Sequence, residues 1–238
     1  VERHDDVGAG SVSSSPLVVA HRGAWGEFPQ NSLQALAAAI DTGCEMAELD
    51  VRRTRDGHLV AVHDARVRGT PVSALDHEQL KARLAPGQAP LLEEMLELAE
   101  GRIELDIELK EDGYVQTVLL MLKQLNPAQY VLTSFLDEVL TAVRGITPLT
   151  RTGLLVGPGR ARRLEARLTA CGATFLAAHA GLARAGLLAW AANRGLESYV
   201  WTVNDRRALR SLLTDNRVAA VITDRPDVAL LIRSELQR

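Results

Sequence analysis

Two stretches of the sequence set acidic residues at every second position, in the manner of a strand that turns charge to one side. In Met46 to Val51 they are Glu48 and Asp50; in Arg102 to Leu109 they are Asp106 and Glu108, with Lys110 next in phase. Side chains alternate across a strand, so Glu48 and Asp50 share a face with Met46, while Ala47, Leu49 and Val51 share the other. Leu105, Ile107 and Leu109 likewise oppose Asp106, Glu108 and Lys110. Several carboxylates gathered in a partly enclosed place repel one another and lose solvation, and a divalent cation relieves both costs. Oxygen ligands suit Mg or Ca, and there is no Cys or paired-His cluster of the kind zinc takes. The alternative is a polar layer in which the acids pair with Arg or Lys. His21, just after an apolar run, and His63, ending the run from His58, are placed to share proton removal and leaving-group protonation. Arg22 and Lys110 add fixed positive charge suited to a phosphate.

For these residues to meet, the strands carrying them must converge at one end. Apolar strand-like runs alternate with helical patterns throughout, the sign of parallel βαβ units. The strands read as Leu17 to Ala20, Met46 to Val51, Arg102 to Leu109, Tyr130 to Ser134, Thr150 to Val156, Thr174 to Ala178, Glu197 to Val203 and Val218 to Thr223. The helices read as Ser32 to Asp41, Leu91 to Glu100, Val115 to Leu125, Asp137 to Arg144, Arg160 to Thr169, Ala183 to Arg194, Arg206 to Thr214 and Asp227 to Leu236. Eight of each predicts a single (β/α)8 TIM barrel, with active-site residues at the C-terminal strand ends. A short βα excursion, with a helix near Asp76 to Arg83, interrupts it between the second and third main strands. The first strand runs into His21-Arg22-Gly23, not the Gly-rich turn of a dinucleotide fold.

The totals agree with one domain over 16–238, preceded by a polar tail, 1–15, that is expected to be disordered. A length of 238 residues fits one barrel. A net charge of -3 without a long basic stretch argues against a nucleic-acid partner. No segment reaches about 18 consecutive apolar residues, so stable membrane insertion is not expected. The tail lacks the charged-then-apolar order of a signal peptide, which leaves the cytoplasm as the default location. Cys44 and Cys171 read as unpaired buried thiols. Oligomeric state is not legible.

The chain resembles the glycerophosphodiester phosphodiesterases. The resemblance runs in order through His21-Arg22-Gly23, Pro29-Gln30-Asn31-Ser32, Glu48-Leu49-Asp50-Val51, Thr54-Arg55-Asp56-Gly57 and His63-Asp64. It continues through Glu108-Leu109-Lys110, Ser134-Phe135, Trp201-Thr202-Val203-Asn204 and Ile222-Thr223-Asp224-Arg225-Pro226. It implies a TIM barrel in which Glu48, Asp50 and Glu108 hold one divalent metal, Mg or Ca. His21 and His63 would be the acid/base pair, and Arg22 and Lys110 the phosphate contacts. The reaction implied is hydrolysis of glycerophosphodiesters, such as glycerophosphocholine or glycerophosphoethanolamine, to sn-glycerol 3-phosphate and an alcohol. A lysophospholipase D or phosphotransfer variant, and a non-catalytic ligand-binding barrel, are the competing expectations.

Two residues depart from the family pattern, Gln30 standing where Glu is usual and Ser32 where Thr is usual. The span from His63 to Glu108 is short, which implies an open mouth. Among weaker signals, Trp201 is expected to line the substrate pocket, with Phe135 left to ordinary packing. Gly157-Pro158-Gly159 reads as a strand-to-helix turn, and Arg160, Arg162, Arg163 and Arg167 as a solvated helix face. His179 lies near the mouth without an assigned role, and His4, His58 and His77 read as structural or exposed.

Overall fold

The computed structural model describes residues 15–24, 26–125 and 129–238, so residues 1–14 of the expected tail lie outside the described residues. Barrel strands and the helices after them are numbered together in chain order. The strands are β1 Leu17–Ala20, β2 Met46–Arg53, β3 Glu104–Leu109, β4 Tyr130–Ser134, β5 Thr152–Val156, β6 Phe175–His179, β7 Glu197–Trp201 and β8 Ala220–Thr223. Each pairs in parallel with the next, and β1 pairs with both β8 and β2, which closes the barrel. The helices are α1 Leu33–Thr42, α2 Leu92–Ala99, α3 Val115–Leu125, α4 Asp137–Ile146, α5 Leu164–Cys171, α6 Leu188–Ala192, α7 Arg206–Leu213 and α8 Pro226–Leu236.

The alternation read from the sequence sorts the side chains into two cores. Ala47, Leu49, Val51, Leu105, Ile107 and Leu109 pack outward with Leu36, Ala39, Leu92 and Leu96 of the helices. Inside the barrel, Val19, Met46, Val131, Phe175, Tyr199 and Ile222 form a separate apolar cluster. Gly153 makes room for it, since a Cβ there would lie 2.3 Å from the Phe175 ring. This filled interior supports a polar layer above it, at the C-terminal strand ends.

The excursion takes the expected place. Leu59–Ala61 pairs antiparallel with β2, a two-stranded ribbon joins Arg66–Val67 to Thr70–Pro71, and a short helix spans His77–Lys81. Element edges differ from the sequence reading where side chains serve as caps. Ser32 does not begin α1 but caps it, its Oγ accepting from the Ala35 N–H at 3.1 Å. Helix α5 starts four residues later than Arg160 because Gly157 to Arg163 is spent on a turn, Arg163 taking a left-handed φ of 53°. No helix among the described residues is long and apolar enough to cross a membrane.

Candidate active site

Register brings the acids together. The β2–β3 ladder sets Glu48 beside Asp106 and Asp50 beside Glu108, all four pointing into the barrel mouth and all buried. Carboxylate oxygens of Glu48, Asp50 and Glu108 lie within 4.8 Å of one another, the one such group of potential metal ligands among the described residues. Lys110 Nζ stands 2.9 Å from Asp50 Oδ1 and 2.7 Å from Glu108 Oε1. Asn31, buried with φ 54°, donates from Nδ2 to Asp50 Oδ2 at 2.8 Å and accepts the Asp50 N–H at 3.0 Å.

Arg22 follows β1 in a tight turn that only this backbone permits. Its own φ is 57° and that of Gly23 is 82°, and a Cβ on Gly23 would strike the α1 backbone at Ala35 at 2.7 Å. The turn aims the Arg22 N–H at Glu48 Oε2, 2.9 Å away. The guanidinium donates from Nη1 to Gln30 Oε1 at 2.6 Å and sets Nε 3.1 Å from Asp50 Oδ2. Gln30, one of the two departures, therefore supplies Arg22 with a neutral acceptor.

Both sequence-predicted histidines reach the mouth, and each has Nδ1 against a carboxylate. His21 Nδ1 lies 2.6 Å from Asp224 Oδ1, and His63 Nδ1 lies 2.8 Å from Asp64 Oδ1. A carboxylate can only accept, so Nδ1 carries the proton in each ring and Nε2 is left for a ligand. His21 Nε2 stands 3.9 Å from Glu48 Oε2. Asp224 is itself fixed, accepting from Asn204 Nδ2 at 2.6 Å while its N–H donates to Asn204 Oδ1 at 2.9 Å. His63 sits on the excursion, and buried Arg52 holds it there by donating from Nε to the His63 carbonyl at 2.9 Å. The other end of Arg52 contacts Glu111 at 2.5 Å.

Arg22, Lys110, His21, His63, Glu48, Glu108 and Trp201 line one cavity of about 150 Å³. Phe135 lines it too, which its ordinary-packing reading did not foresee, and meets Trp201 edge-on with ring centroids 5.5 Å apart. Trp201 Nε1 donates to the Ala177 carbonyl at 2.9 Å, which fixes the indole as a wall. Asp224, Asn204, Asn31 and Arg52 were also not assigned from sequence. Three of them fall inside motifs that carry the family resemblance, the one signal that could have found them. Arg167 is not on a solvated face, since it pairs with Asp137 and donates from Nη2 to the Phe135 carbonyl at 3.3 Å. His179 receives the Gly181 N–H on Nδ1 and stands edge-on to Trp201. His58 pairs with Asp56 and His77 binds the Ala89 carbonyl, both structural as read.

The electrostatics are those of a cluster short of positive charge. Four buried acids, Glu48, Asp50, Asp106 and Glu108, face two cations, Arg22 and Lys110, so full ionisation would leave two negative charges uncompensated. Burial, with Asp50 and Glu108 nearby, drives the Glu48 carboxyl well above its ordinary range. Burial pushes Glu108 up to about 7 against the pull of Lys110. Burial likewise takes Asp106 to about 7, despite the Thr133 hydroxyl donating to it at 2.7 Å. At Asp50 burial also acts upward, but Lys110 and Arg22 outweigh it and hold the group at about 2. Burial, aided by Lys110, sets His63 below its usual value although Asp50 acts the other way. A donor set of three close, buried, hard oxygens with two charges uncompensated fits one divalent cation.

A stability signature follows. Glu48, Glu108 and Asp106 have raised values in the folded state, so between about 4 and about 7 they bind more protons than in the unfolded chain and outnumber His63, whose lowered value acts the other way. Stability then rises as pH falls through that window, until the loss of the depressed Asp50 reverses the trend below about 4. Calorimetry of metal-free protein should find a higher Tm near pH 5 than near pH 7.5, and saturating divalent ion should shrink the difference.

The sequence model of the Glycerophosphoryl diester phosphodiesterase family matches residues 21–228. A glycerophosphodiester phosphodiesterase of Caldanaerobacter subterraneus is 26% identical over 90% of this chain and 96% of its own length. A partial alignment, 34% identical, joins 49% of this chain to 56% of an uncharacterized Bacillus subtilis protein, so the chain spans only about half of that relative. Among solved structures, a glycerophosphodiester phosphodiesterase from Parabacteroides distasonis superposes with a TM-score of 0.81 at 25% identity, over 94% of this chain and 98% of the other. A phosphodiesterase from Oleispira antarctica, solved in complex with the product sn-glycerol-3-phosphate, gives a TM-score of 0.75 at 25% identity, over 94% and 98%.

Proposed function

The chain belongs to the glycerophosphoryl diester phosphodiesterase family, and on that premise we propose that it hydrolyses glycerophosphodiesters to sn-glycerol 3-phosphate and an alcohol. The observation that carries this reading is the two-charge deficit of the buried acids beside two histidines that both offer Nε2 to one cavity. Glu48, Asp50 and Glu108 would hold one divalent ion, Mg or Ca. Such an ion, when bound, neutralises charge on non-bridging phosphate oxygens as the transition state forms.

The chain's own groups do the rest. Arg22 and Lys110 bind the phosphate, their side chains fixed beforehand by Gln30, Asp50 and Glu108 so that little ordering is left to the encounter. His21 and His63 are the proton carriers: one takes a proton at Nε2 from the attacking water, the other gives one from Nε2 to the departing alcohol. Asp224 and Asp64 hold each ring with Nδ1 protonated and stabilise the imidazolium. Trp201 and Phe135 present an apolar wall to the substrate's carbon skeleton.

Asp224→Asn tests the positioning of His21. An amide keeps the shape but can donate to Nδ1, which favours the tautomer with its proton on Nε2. The variant should lose roughly 10²-fold in kcat with KM little changed, and steady-state kinetics on one diester decide it. The reading as a whole is tested by supplying glycerophosphodiesters with different second alcohols and measuring sn-glycerol 3-phosphate with a coupled dehydrogenase. Metal-dependent release from at least one supports it. Release of free glycerol with the phosphate left on the second alcohol, or no release from any, sinks it.

A further inference from the structure

The cavity of about 150 Å³ is well below the roughly 300–1,000 Å³ that encloses a drug-sized ligand. A diester centred on its phosphate must therefore extend one end past the rim. On the Phe135–Trp201 side that rim is the β5–α5 turn. The turn lies against both rings, a Cβ built at Gly157 being 3.5 Å from Phe135 and 3.7 Å from Trp201. Arg160 then comes over the Phe135 ring, with Cζ 5.6 Å from the centroid.

Arg160 is held there by a built support. Its N–H donates to the Gly157 carbonyl at 3.1 Å, and its own carbonyl accepts from Arg167 Nη1 at 2.8 Å. Arg167 is in turn fixed by Asp137 at 2.6 Å. That pairing engages Asp137, the first acid of α4, and Glu165 is engaged by Arg194 at 3.2 Å. Arg160, Arg162, Arg163 and Arg184 are exposed and make no ion pair among the described residues. The first three lie on the turn between β5 and α5, and Arg184 lies in the π-helical segment Ala183–Leu187 that follows β6.

A quaternary ammonium is recognised by open aromatic faces. Here the Phe135 face carries a guanidinium, and Trp201 is flanked edge-on by Phe135 at 5.5 Å and His179 at 5.3 Å. The rim thus presents fixed positive charge where a choline or ethanolamine group would need aromatic or negative surroundings. Resting on the hydrolysis proposed above, we infer that this chain selects diesters of glycerol 3-phosphate whose second alcohol is anionic over those whose second alcohol is cationic, and that Arg160 is the main source of the preference. Carboxylate- or phosphate-bearing second alcohols are the class it takes.

The test compares kcat/KM for the glycolate diester of glycerol 3-phosphate, glycerophosphoglycerol carrying a terminal phosphate, and glycerophosphocholine, in wild type, Arg160→Ala and Arg160→Glu. A single charge at the rim should favour the phosphate-bearing diester over the choline diester by on the order of fivefold or more at low salt, and the ratio should shrink toward one at high salt. Arg160→Ala should reduce the ratio and Arg160→Glu should invert it, while Tm and divalent-ion affinity stay unchanged. An equal rate on all diesters, a choline preference in wild type, or a ratio unmoved in Arg160→Glu overturns the inference and leaves the hydrolase reading standing. Hydrolysis of none of them removes both.

Discussion

Replacing His21 by Ala should lower kcat by about 10²- to 10⁴-fold while the protein still binds its divalent ion and its phosphate product. The ring makes one strong contact, Nδ1 to Asp224, and Asp224 keeps its Asn204 partner when the ring is gone, so the loss falls on chemistry and not on folding. His63→Ala should behave likewise, because that ring's hydrogen-bond partner among the described residues is exposed Asp64 and its backbone stays tied to Arg52. The two variants separate on a diester with nitrophenol as its second alcohol. Such a leaving group needs no proton, so the variant lacking the acid regains rate and the variant lacking the base does not. If both variants keep wild-type kcat on an ordinary glycerophosphodiester, the proton-carrier roles are wrong.

Lys110→Met should destabilise the metal-free protein by about 3–5 kcal/mol, the usual cost of stranding buried charge by removing its partner. Lys110 is the one cation that bridges Asp50 and Glu108, and without it four buried acids face Arg22 alone. Two treatments should restore part of the loss. Lowering pH toward 5 lets the acids take up protons, and saturating Mg or Ca supplies the missing charge at about 2.7 kcal/mol for a ligand at 100 times its Kd. Denaturant titrations at pH 7.5 and pH 5, with and without metal, measure all four corners. Equal destabilisation in every condition would mean that the acids do not act as one electrostatic unit.

The barrel was legible because it rests on period. Leu49, Val51, Leu105, Ile107 and Leu109 had to face helices, and that requirement alone turned Glu48, Asp50, Asp106, Glu108 and Lys110 inward before any contact was known. What stayed hidden depends on closure. His21 and Asp224 are 203 positions apart and meet only because β1 pairs with β8. Arg52 sits on β2 and shows no sign in sequence that its guanidinium bends back to the His63 carbonyl. Arg167 looked like one more charge on a polar helix stripe, yet Asp137, 30 positions away, draws it into the support of Arg160. Phe135 was read as packing, since an aromatic at a strand end does not reveal whether it faces the mouth or a helix.

The family rests on residues 21–228 and the barrel on the described residues, while the metal and the roles of the side chains rest on one cluster of charges. The most direct test is to strip the protein with chelator, titrate Mg or Ca back while following both heat of binding and release of sn-glycerol 3-phosphate, and repeat with Glu48→Ala. The expected result is no activity in the stripped protein, one ion bound per chain, activity that rises in step with that ion, and neither binding nor activity in Glu48→Ala. Full activity in the stripped protein, or an ion that binds Glu48→Ala as tightly as wild type, would contradict it.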